Sequence, residues 1–219
     1  VNAINILEND KVIQDRLTDG NSDIILANKY GNAIRFHESK VRSMGRVATG
    51  VKGMTLANDD DEIVGMICMP ADTADNVMVV SEQGYGKRSL LEDYRITNRG
   101  GKGVKTLNIT EKTGKLVSIK SVNDSNDLVI INKSGITLRM KVADIRVMGR
   151  ATQGVRLINL EKRNDEIASV CKVLSDEDEI SDVDETISTE NSHINETEIE
   201  NIEPEEFGND EPTDSDNNE

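Results

Sequence analysis

The sequence contains three consecutive copies of one unit, and this repeat limits the possible folds more than any other feature. Segments of 26 residues that begin at Gly31, Gly84 and Gly135 align without a gap, and the copies start 53 and 51 residues apart. We number repeat positions from these first glycines, so that position +19 is a second glycine, followed by valine, in all three copies. Agreement at so many fixed offsets indicates one structural unit used three times.

Each copy has the hydrophobic pattern of four short β-strands. An apolar run precedes the first glycine and an alternating stretch follows it, which predicts a β-hairpin. Two further apolar segments follow position +19, separated by a polar turn. Four strands in about 50 residues are typical of a propeller blade, and the 3.6-residue period of helical repeats is absent. The sequence therefore predicts an all-β, propeller-like fold built from four-stranded blades.

The repeat also predicts how the chain is divided. Residues 1–17 match the third and fourth strands of a copy, so we expect residues 1–30 to hold the end of a preceding blade and the first strand of the next, with an earlier copy upstream. Residues 31–173 hold the repeated blades, which gives about three and a half blades in all. Residues 174–219 have isolated isoleucines too sparse to build a core, and this composition predicts an acidic, disordered tail.

Charge is distributed very unevenly along the chain. All 26 Lys and Arg lie at or before Lys172, whereas residues 174–219 hold 19 of the 41 Asp and Glu. The formal net charge of −15 is therefore a property of the tail. The first 173 residues are mildly basic, with 26 basic and 22 acidic side chains.

Four repeat positions are basic in every copy. Positions +4, +11, +15 and +21 are occupied in turn by Arg35, Arg88 and Arg139, by Arg42, Arg95 and Arg146, by Arg46, Arg99 and Arg150, and by Lys52, Lys105 and Arg156. A single one of these positions is equally compatible with a solvated strand face or a structural arginine. Their constancy in all copies favours a common ligand, because arginine forms bidentate contacts with phosphate.

Basic side chains repeated at regular steps predict a regular polyanion as the ligand. The chain has three Tyr, two Phe and no Trp, so the stacking surfaces that bind single strands or RNA loops are missing. Duplex DNA held through its backbone fits better. Such binding is largely independent of base sequence and strongly dependent on salt.

Catalytic, metal and nucleotide sites have little support in the sequence. His37 and His193 are the only histidines, and neither lies in a pattern with metal-ligand spacing. Cys68 and Cys171 occupy unrelated repeat positions, which predicts two buried, reduced thiols. The glycines of residues 99–103 lack the spacing of a phosphate-binding loop. We therefore expect no catalytic residue, no metal and no cofactor in this chain.

A connection between the second and third predicted strands carries Gly45, Asn98 and Gly149 at one shared position. Asn is the residue other than Gly that best tolerates the left-handed region of backbone space. The Gly, Asn, Gly pattern therefore predicts a turn with positive φ at this position in every copy.

Several segments resemble the C-terminal domain of the A subunit of DNA gyrase. They are FHESKVRSMGRVATGVKGMTLA, GYGKRSLLEDY followed by NRGGKGV, and GITLRMKVADIRVMGRATQGVRLI, and the resemblance covers about residues 1–173. It implies a six-bladed β-pinwheel whose basic rim wraps duplex DNA. It also implies a bacterial, cytoplasmic, chromosome-associated enzyme that introduces negative supercoils, joins two A and two B subunits, and uses ATP and Mg through other regions.

The resemblance also has limits. The hallmark basic box of the family lies in its first blade, and only residues 99–103 echo it here, which adds Lys102 to the candidate DNA-binding residues. The tyrosine that cleaves DNA lies in a region absent from this chain, so Tyr30, Tyr85 and Tyr94 have no claim to that role. One alternative is the related domain of topoisomerase IV. Another is a protein-binding propeller in which the repeated arginines hold blades together, which predicts buried guanidinium groups paired with carboxylates.

Overall fold

The computed structural model describes residues 3–70, 72–160 and 165–175, which fold into eleven β-strands and three short 3-10 helices. The strands are β1 Ser22–Asn28, β2 Asn32–His37, β3 Ile63–Pro70, β4 Asn76–Ser81, β5 Tyr85–Ser89, β6 Val104–Lys105, β7 Leu116–Val122, β8 Asn126–Asn132, β9 Thr137–Lys141, β10 Val155–Arg156 and β11 Ile167–Leu174. The 3-10 helices are Glu38–Lys40, Leu91–Asp93 and Val142–Asp144. The predicted all-β class is confirmed.

The strands form three antiparallel sheets, one for each copy of the repeat. Their strand orders are β3-β1-β2-β6, β10-β5-β4-β7 and β11-β8-β9. The hairpins predicted around the first glycines are β1-β2, β4-β5 and β8-β9, and the fourth strand of each copy pairs with the first. Each sheet is therefore a blade in which the first strand of a copy pairs with the second and with the fourth strand of the same copy.

The third strands of the second and third copies pair outside their own blades. β6 belongs to the second copy but pairs with β2 of the first, where Val104 lies opposite Ala33. β10 of the third copy pairs in the same way with β5 of the second, where Val155 lies opposite Gly86. In this strand exchange, each later copy contributes its third strand to the preceding blade. Each junction is thus fixed by backbone hydrogen bonds.

The glycine at position +19 permits this close crossing between blades. A β-carbon at Gly103 would lie 2.3 Å from the carbonyl oxygen of Ala33, and one at Gly154 would lie 2.6 Å from that of Gly86. Both glycines also have positive φ, of 75° and 79°. Only glycine satisfies both conditions, because any side chain would clash with the neighbouring backbone.

The hydrophobic core continues from one blade into the next. One cluster joins residues of β1, β3, β4 and β7 with Leu91 and Tyr94 from the 3-10 helix region of the second copy. A second cluster joins β4, β7, β8 and β11 with Val142 and Ile145 of the third copy. Each of these two 3-10 helix regions therefore inserts apolar side chains into the core next to the preceding blade, which stabilises the junction by burial.

Two sequence expectations differ from the structure at the amino-terminal side. Residues 3–21 form no strand, although they match the third and fourth strands of a copy, and residues 51–56 of the first copy form none either. The reason is the pairing: a third strand pairs with the second strand of the preceding copy and a fourth strand with the first strand of its own copy, and the 219 residues do not include these partner strands for residues 3–21 and 51–56. The sheet of β11-β8-β9 has three strands among the described residues.

The expectation of positive φ at Gly45, Asn98 and Gly149 is wrong. None of the three has positive φ. The residue is instead the first of a turn, whose carbonyl accepts the amide hydrogen three residues on, with N···O distances of 3.1 Å for Gly45 and 3.2 Å for Gly149. The first residue of a β-turn is not restricted to the left-handed region, and Asn and Gly are both compatible with it. The predicted acidic tail lies, from residue 176 onward, outside the described residues.

Candidate nucleic-acid interface

The arginines at position +4 lie inside the junctions between blades. Arg35 is 8% exposed, and its Nε and Nη2 donate to Oδ2 of Asp23 at 2.8 and 2.5 Å. Its Nη1 donates to the carbonyl oxygens of Leu91 and Tyr94, at 3.0 and 3.2 Å, in the following copy. The whole guanidinium group is therefore occupied by one carboxylate and the backbone of the next blade.

Arg88 does the same at the second junction. It is 8% exposed, and its Nε and Nη2 donate to the carbonyl oxygens of Ile145 and Ala143 at 2.6 and 3.3 Å. Its ion-pair partner is Asp124, bound through Nη1. Arg35 and Arg88 therefore cannot reach a phosphate from these positions, and the interpretation of repeated arginines as ties between blades describes them correctly.

Arg139 occupies position +4 of the last copy. Its Nε donates to Oδ2 of Asp127 at 2.8 Å, and its Nη2 donates to the carbonyl oxygen of Leu174 at 3.1 Å. Its side chain is 40% exposed, against 9% for Arg35, which contacts the backbone of the following copy. A signal for this role was present in the sequence, since Asp23 and Asp127 share one repeat position inside otherwise apolar strands.

The arginines at position +15 bring basic residues of adjacent copies together. Nη1 of Arg99 donates to the carbonyl oxygen of Lys52 at 2.9 Å, and Nη1 of Arg150 donates to that of Lys105 at 2.9 Å. Position +15 of one copy thus lies beside position +21 of the copy before it, at both junctions. Nε of Arg99 also donates to the carbonyl oxygen of Lys40 at 2.9 Å. These contacts place an arginine guanidinium group beside the backbone of a lysine at each junction.

The other candidates are exposed. They are Arg42, Arg46, Lys52, Arg95, Lys102, Lys105, Arg146 and Arg156. The guanidinium of Arg156 lies 5.5 Å from the ring centroid of Tyr85 and donates to its hydroxyl at 2.9 and 3.1 Å, which fixes its orientation. Arg95 and Lys102 line a cleft of about 290 Å³ under the loop of residues 99–103.

One buried basic residue was missed by the sequence analysis. Lys87 is 0% exposed, and its Nζ donates to the carbonyl oxygen of Gly149 in the next copy at 2.6 Å. Burial lowers the pKa of Lys87 to about 8, with nearby Asp93 raising it and Arg150 lowering it further. The signal that points to it is a break in the repeat, since position +3 is Ile34 and Leu138 in the other copies.

Other chemistry is sparse among residues 3–70, 72–160 and 165–175. No cluster of three or more His, Cys, Asp or Glu there could hold a metal ion, and no helix there has the length and hydropathy of a membrane span. Cys171 is exposed and Cys68 is half-buried, so the expectation of two buried thiols is wrong for Cys171. Burial raises the pKa of Cys68.

The three sheets coincide with three matches to one family model. The model for the DNA gyrase C-terminal domain, described as a beta-propeller, matches residues 22–68, 75–123 and 126–171. The chain belongs to this family. The A subunit of DNA gyrase from Staphylococcus aureus (strain NCTC 8325 / PS 47) is 47% identical to this gyrase C-terminal domain over 188 residues, which are 85% of the chain and 21% of the relative. The chain thus spans about a fifth of the length of the curated relatives it matches.

Solved structures agree with this assignment. The C-terminal domain of DNA topoisomerase IV superimposes with a TM-score of 0.73 at 28% identity, over 78% of this chain and 53% of that one. The DNA gyrase A C-terminal domain superimposes with a TM-score of 0.64 at 26% identity, over 70% of this chain and 51% of that one. The resemblance to the gyrase family drawn from sequence motifs is confirmed.

Proposed function

We propose that this gyrase C-terminal domain binds and wraps duplex DNA along the outward side of its blade junctions. The observation that supports it is the contact between positions +15 and +21, which recurs at both junctions with the same 2.9 Å distance. Each junction thus carries a fixed arginine beside a lysine. Paired positive side chains repeated from blade to blade suit a ligand whose phosphates repeat at regular steps.

The proposed interface is smaller than the set of repeated basic positions. Arg35, Arg88 and Arg139 are left out because each guanidinium group is already paired with a carboxylate of this chain. The residues kept are Arg42, Arg46, Lys52, Arg95, Arg99, Lys102, Lys105, Arg146, Arg150 and Arg156. Contact through these side chains would follow the DNA backbone, and we therefore expect little preference for base sequence.

The role of the whole enzyme is part of the proposal. This chain would be a non-catalytic part of a type II DNA topoisomerase that supports ATP-dependent negative supercoiling in the bacterial cytoplasm, on the chromosome. Its partners would be double-stranded DNA, the B subunit of gyrase and the remainder of the A subunit. We propose that it holds no cofactor itself and that ATP and Mg act through other regions.

The C-terminal domain of topoisomerase IV is the second candidate. The structural superposition with such a domain has a TM-score of 0.73, which is why it stays in consideration. The 47% identity to a gyrase A subunit over 85% of the chain, against 28% for the topoisomerase IV domain, favours gyrase. Either candidate would use the same basic junctions to hold duplex DNA.

Salt dependence of DNA binding tests the proposed interface. We expect the 219-residue chain to bind mixed-sequence duplexes of equal length with similar affinity. If about six phosphates are neutralised, the logarithm of affinity should fall against the logarithm of salt concentration with a slope of about −5. A flat salt response, or strong preference for one duplex sequence, would contradict the proposal.

A further inference from the structure

Lys87 is the residue that breaks the repeat at the second blade junction. It lies in the middle of β5, between the β4 strand and the exchanged strand β10. The corresponding residue at the first junction, Ile34, is apolar and 2% exposed. A lysine with its whole side chain buried is rare because the ammonium loses its hydration, and it needs a partner that offsets this cost.

The partner of Lys87 is the loop of the next copy that carries two arginines of the proposed interface. The carbonyl oxygen of Gly149 accepts from Nζ of Lys87 at 2.6 Å, and also from the hydroxyl and amide of Thr152 at 2.9 and 3.2 Å. This carbonyl begins the turn of residues 149–152, which contains Arg150. The ammonium group therefore anchors the first residue of that turn through a hydrogen bond.

The first junction has no such support. The cleft of about 290 Å³ under the loop of residues 99–103 is lined by Ile34, Asn98 and Gly101 among others. Asn98 is the repeat counterpart of Gly149, so the cleft lies where the second junction holds the lysine side chain. One chain thus offers the same loop with and without a buried ammonium beneath it.

We propose that Lys87 is a positioning residue for DNA binding, whose buried ammonium fixes the loop 146–152 so that Arg146 and Arg150 face the DNA backbone. This inference rests on the proposed function. A charge-assisted hydrogen bond is stronger than a neutral one, so the loop is held best while Lys87 is protonated. Loss of the proton also removes one positive charge close to the interface, and both effects weaken DNA binding in the same direction.

The charged groups around Lys87 determine the pH at which it loses its proton. Burial lowers its pKa to about 8, Asp93 at the end of the 3-10 helix of its own copy raises it, and Arg150 on the loop lowers it. Strand β4 has no titratable side chain, and on β10 the guanidinium of Arg156 donates to the hydroxyl of Tyr85. DNA affinity at constant salt should therefore fall as pH rises through about 8.

The test compares the 219-residue chain with Lys87→Met, which nearly keeps the length of the side chain without its charge. At pH 7 we expect Lys87→Met to bind a mixed-sequence duplex about three- to tenfold more weakly than the unmodified chain. The difference should shrink as pH rises past about 8. Leu138→Lys is the matched control, because it adds a lysine at the same repeat position of the last of the three copies, and it should introduce no pH-dependent step.

A second variant keeps the test decisive if Lys87→Met does not fold. Ile34→Lys places a lysine beneath the first loop, where the cleft offers space, and should strengthen DNA binding at neutral pH more than Leu138→Lys does. Equal affinities of Lys87→Met and the unmodified chain on both sides of about pH 8, or an Ile34→Lys affinity at neutral pH like that of Leu138→Lys, would overturn the inference.

A measurement without DNA distinguishes failure of the proposed function from failure of the positioning role of Lys87. Hydrogen exchange at the amide of Thr152, which donates to the carbonyl of Gly149, reports the loop itself. Faster exchange in Lys87→Met supports the positioning role even if the unmodified chain binds no duplex, whereas unchanged exchange overturns it.

Discussion

At the scale of single residues, burial separates arginines that look alike in sequence. Arg35 at position +4 and Arg99 at position +15 belong to equally constant positions, yet the first is 8% exposed and ion-paired while the second is partly exposed and bound to backbone carbonyls. Constancy among copies therefore identifies residues under a shared constraint. It does not distinguish a constraint from the fold from one imposed by a ligand.

Removing the guanidinium at position +4 should cost different amounts in different copies. Arg35→Ala leaves the fully buried carboxylate of Asp23 without its partner, and we expect the free energy of unfolding to fall by about 3–5 kcal/mol. Arg139→Ala also removes the partner of a buried carboxylate, Asp127, but the arginine side chain is 40% exposed, so water can reach the vacated site and the cost should be smaller, about 1–2 kcal/mol. Urea denaturation measures both. Equal losses would contradict the assignment of Arg35 as a tie between blades.

Lys87 should also make stability depend on pH. Its pKa is lowered from 10.5 to about 8 in the folded chain, so the unfolded chain binds the proton more tightly between these values. Stability contributed by this group therefore rises as pH increases from about 8 to 10.5. We expect the difference in free energy of unfolding between the unmodified chain and Lys87→Met to shift in favour of the unmodified chain over this range. A difference that stays constant with pH would show that the lysine is not desolvated.

At the scale of elements, hairpins were predictable and the strand exchange was not. The β1-β2, β4-β5 and β8-β9 hairpins follow from apolar runs on either side of a glycine, which is a local signal. β6 and β10 have two residues each, too few for any periodicity, and the sequence pattern is the same whether a third strand pairs within its copy or with the one before. The positions of the basic residues were likewise predictable, but their pairing across junctions depends on the exchange.

Glycine at position +19 should be essential for the exchange. A β-carbon at Gly154 would lie 2.6 Å from the carbonyl oxygen of Gly86, at a φ of 79°. We expect Gly154→Ala to lower the free energy of unfolding by about 2 kcal/mol or more. Gly149→Ala is the control, because φ there is not positive and no atom lies within 4 Å of the added carbon. Thermal unfolding that places both variants at the same midpoint would contradict this account.

The repeated arginines at position +15 give the most direct test of the interface. Replacing Arg46, Arg99 and Arg150 together with Ala should weaken binding to different duplex sequences by a similar factor and make the slope against salt less negative by about 2 to 3. A control with the same loss of charge replaces the exposed residues Lys11, Lys133 and Lys172. Equal weakening by the two triple variants would mean that net charge, not the junctions, determines binding.

At the scale of the whole molecule, the chain combines a mildly basic part with a strongly acidic segment. The 173 residues that carry the blades hold 26 basic and 22 acidic side chains, whereas residues 174–219 hold 19 acidic ones and no Lys or Arg. Because both sets belong to one polypeptide, we expect the carboxylates to act at a high effective concentration. The acidic segment should therefore compete with DNA for the same positive side chains.

This competition should depend on salt in a defined way. Comparing the full chain with a chain that ends at Ser175, we expect the shorter one to bind duplex DNA more tightly at low ionic strength, where the Debye length is about 30 Å at 0.01 M. The advantage should shrink toward physiological salt, where the Debye length is about 8 Å and charges outside direct contact are screened. Circular dichroism of both chains checks that the shortened one keeps its β-structure. Equal affinities at every salt concentration would rule out competition and leave the acidic segment with a role in solubility alone.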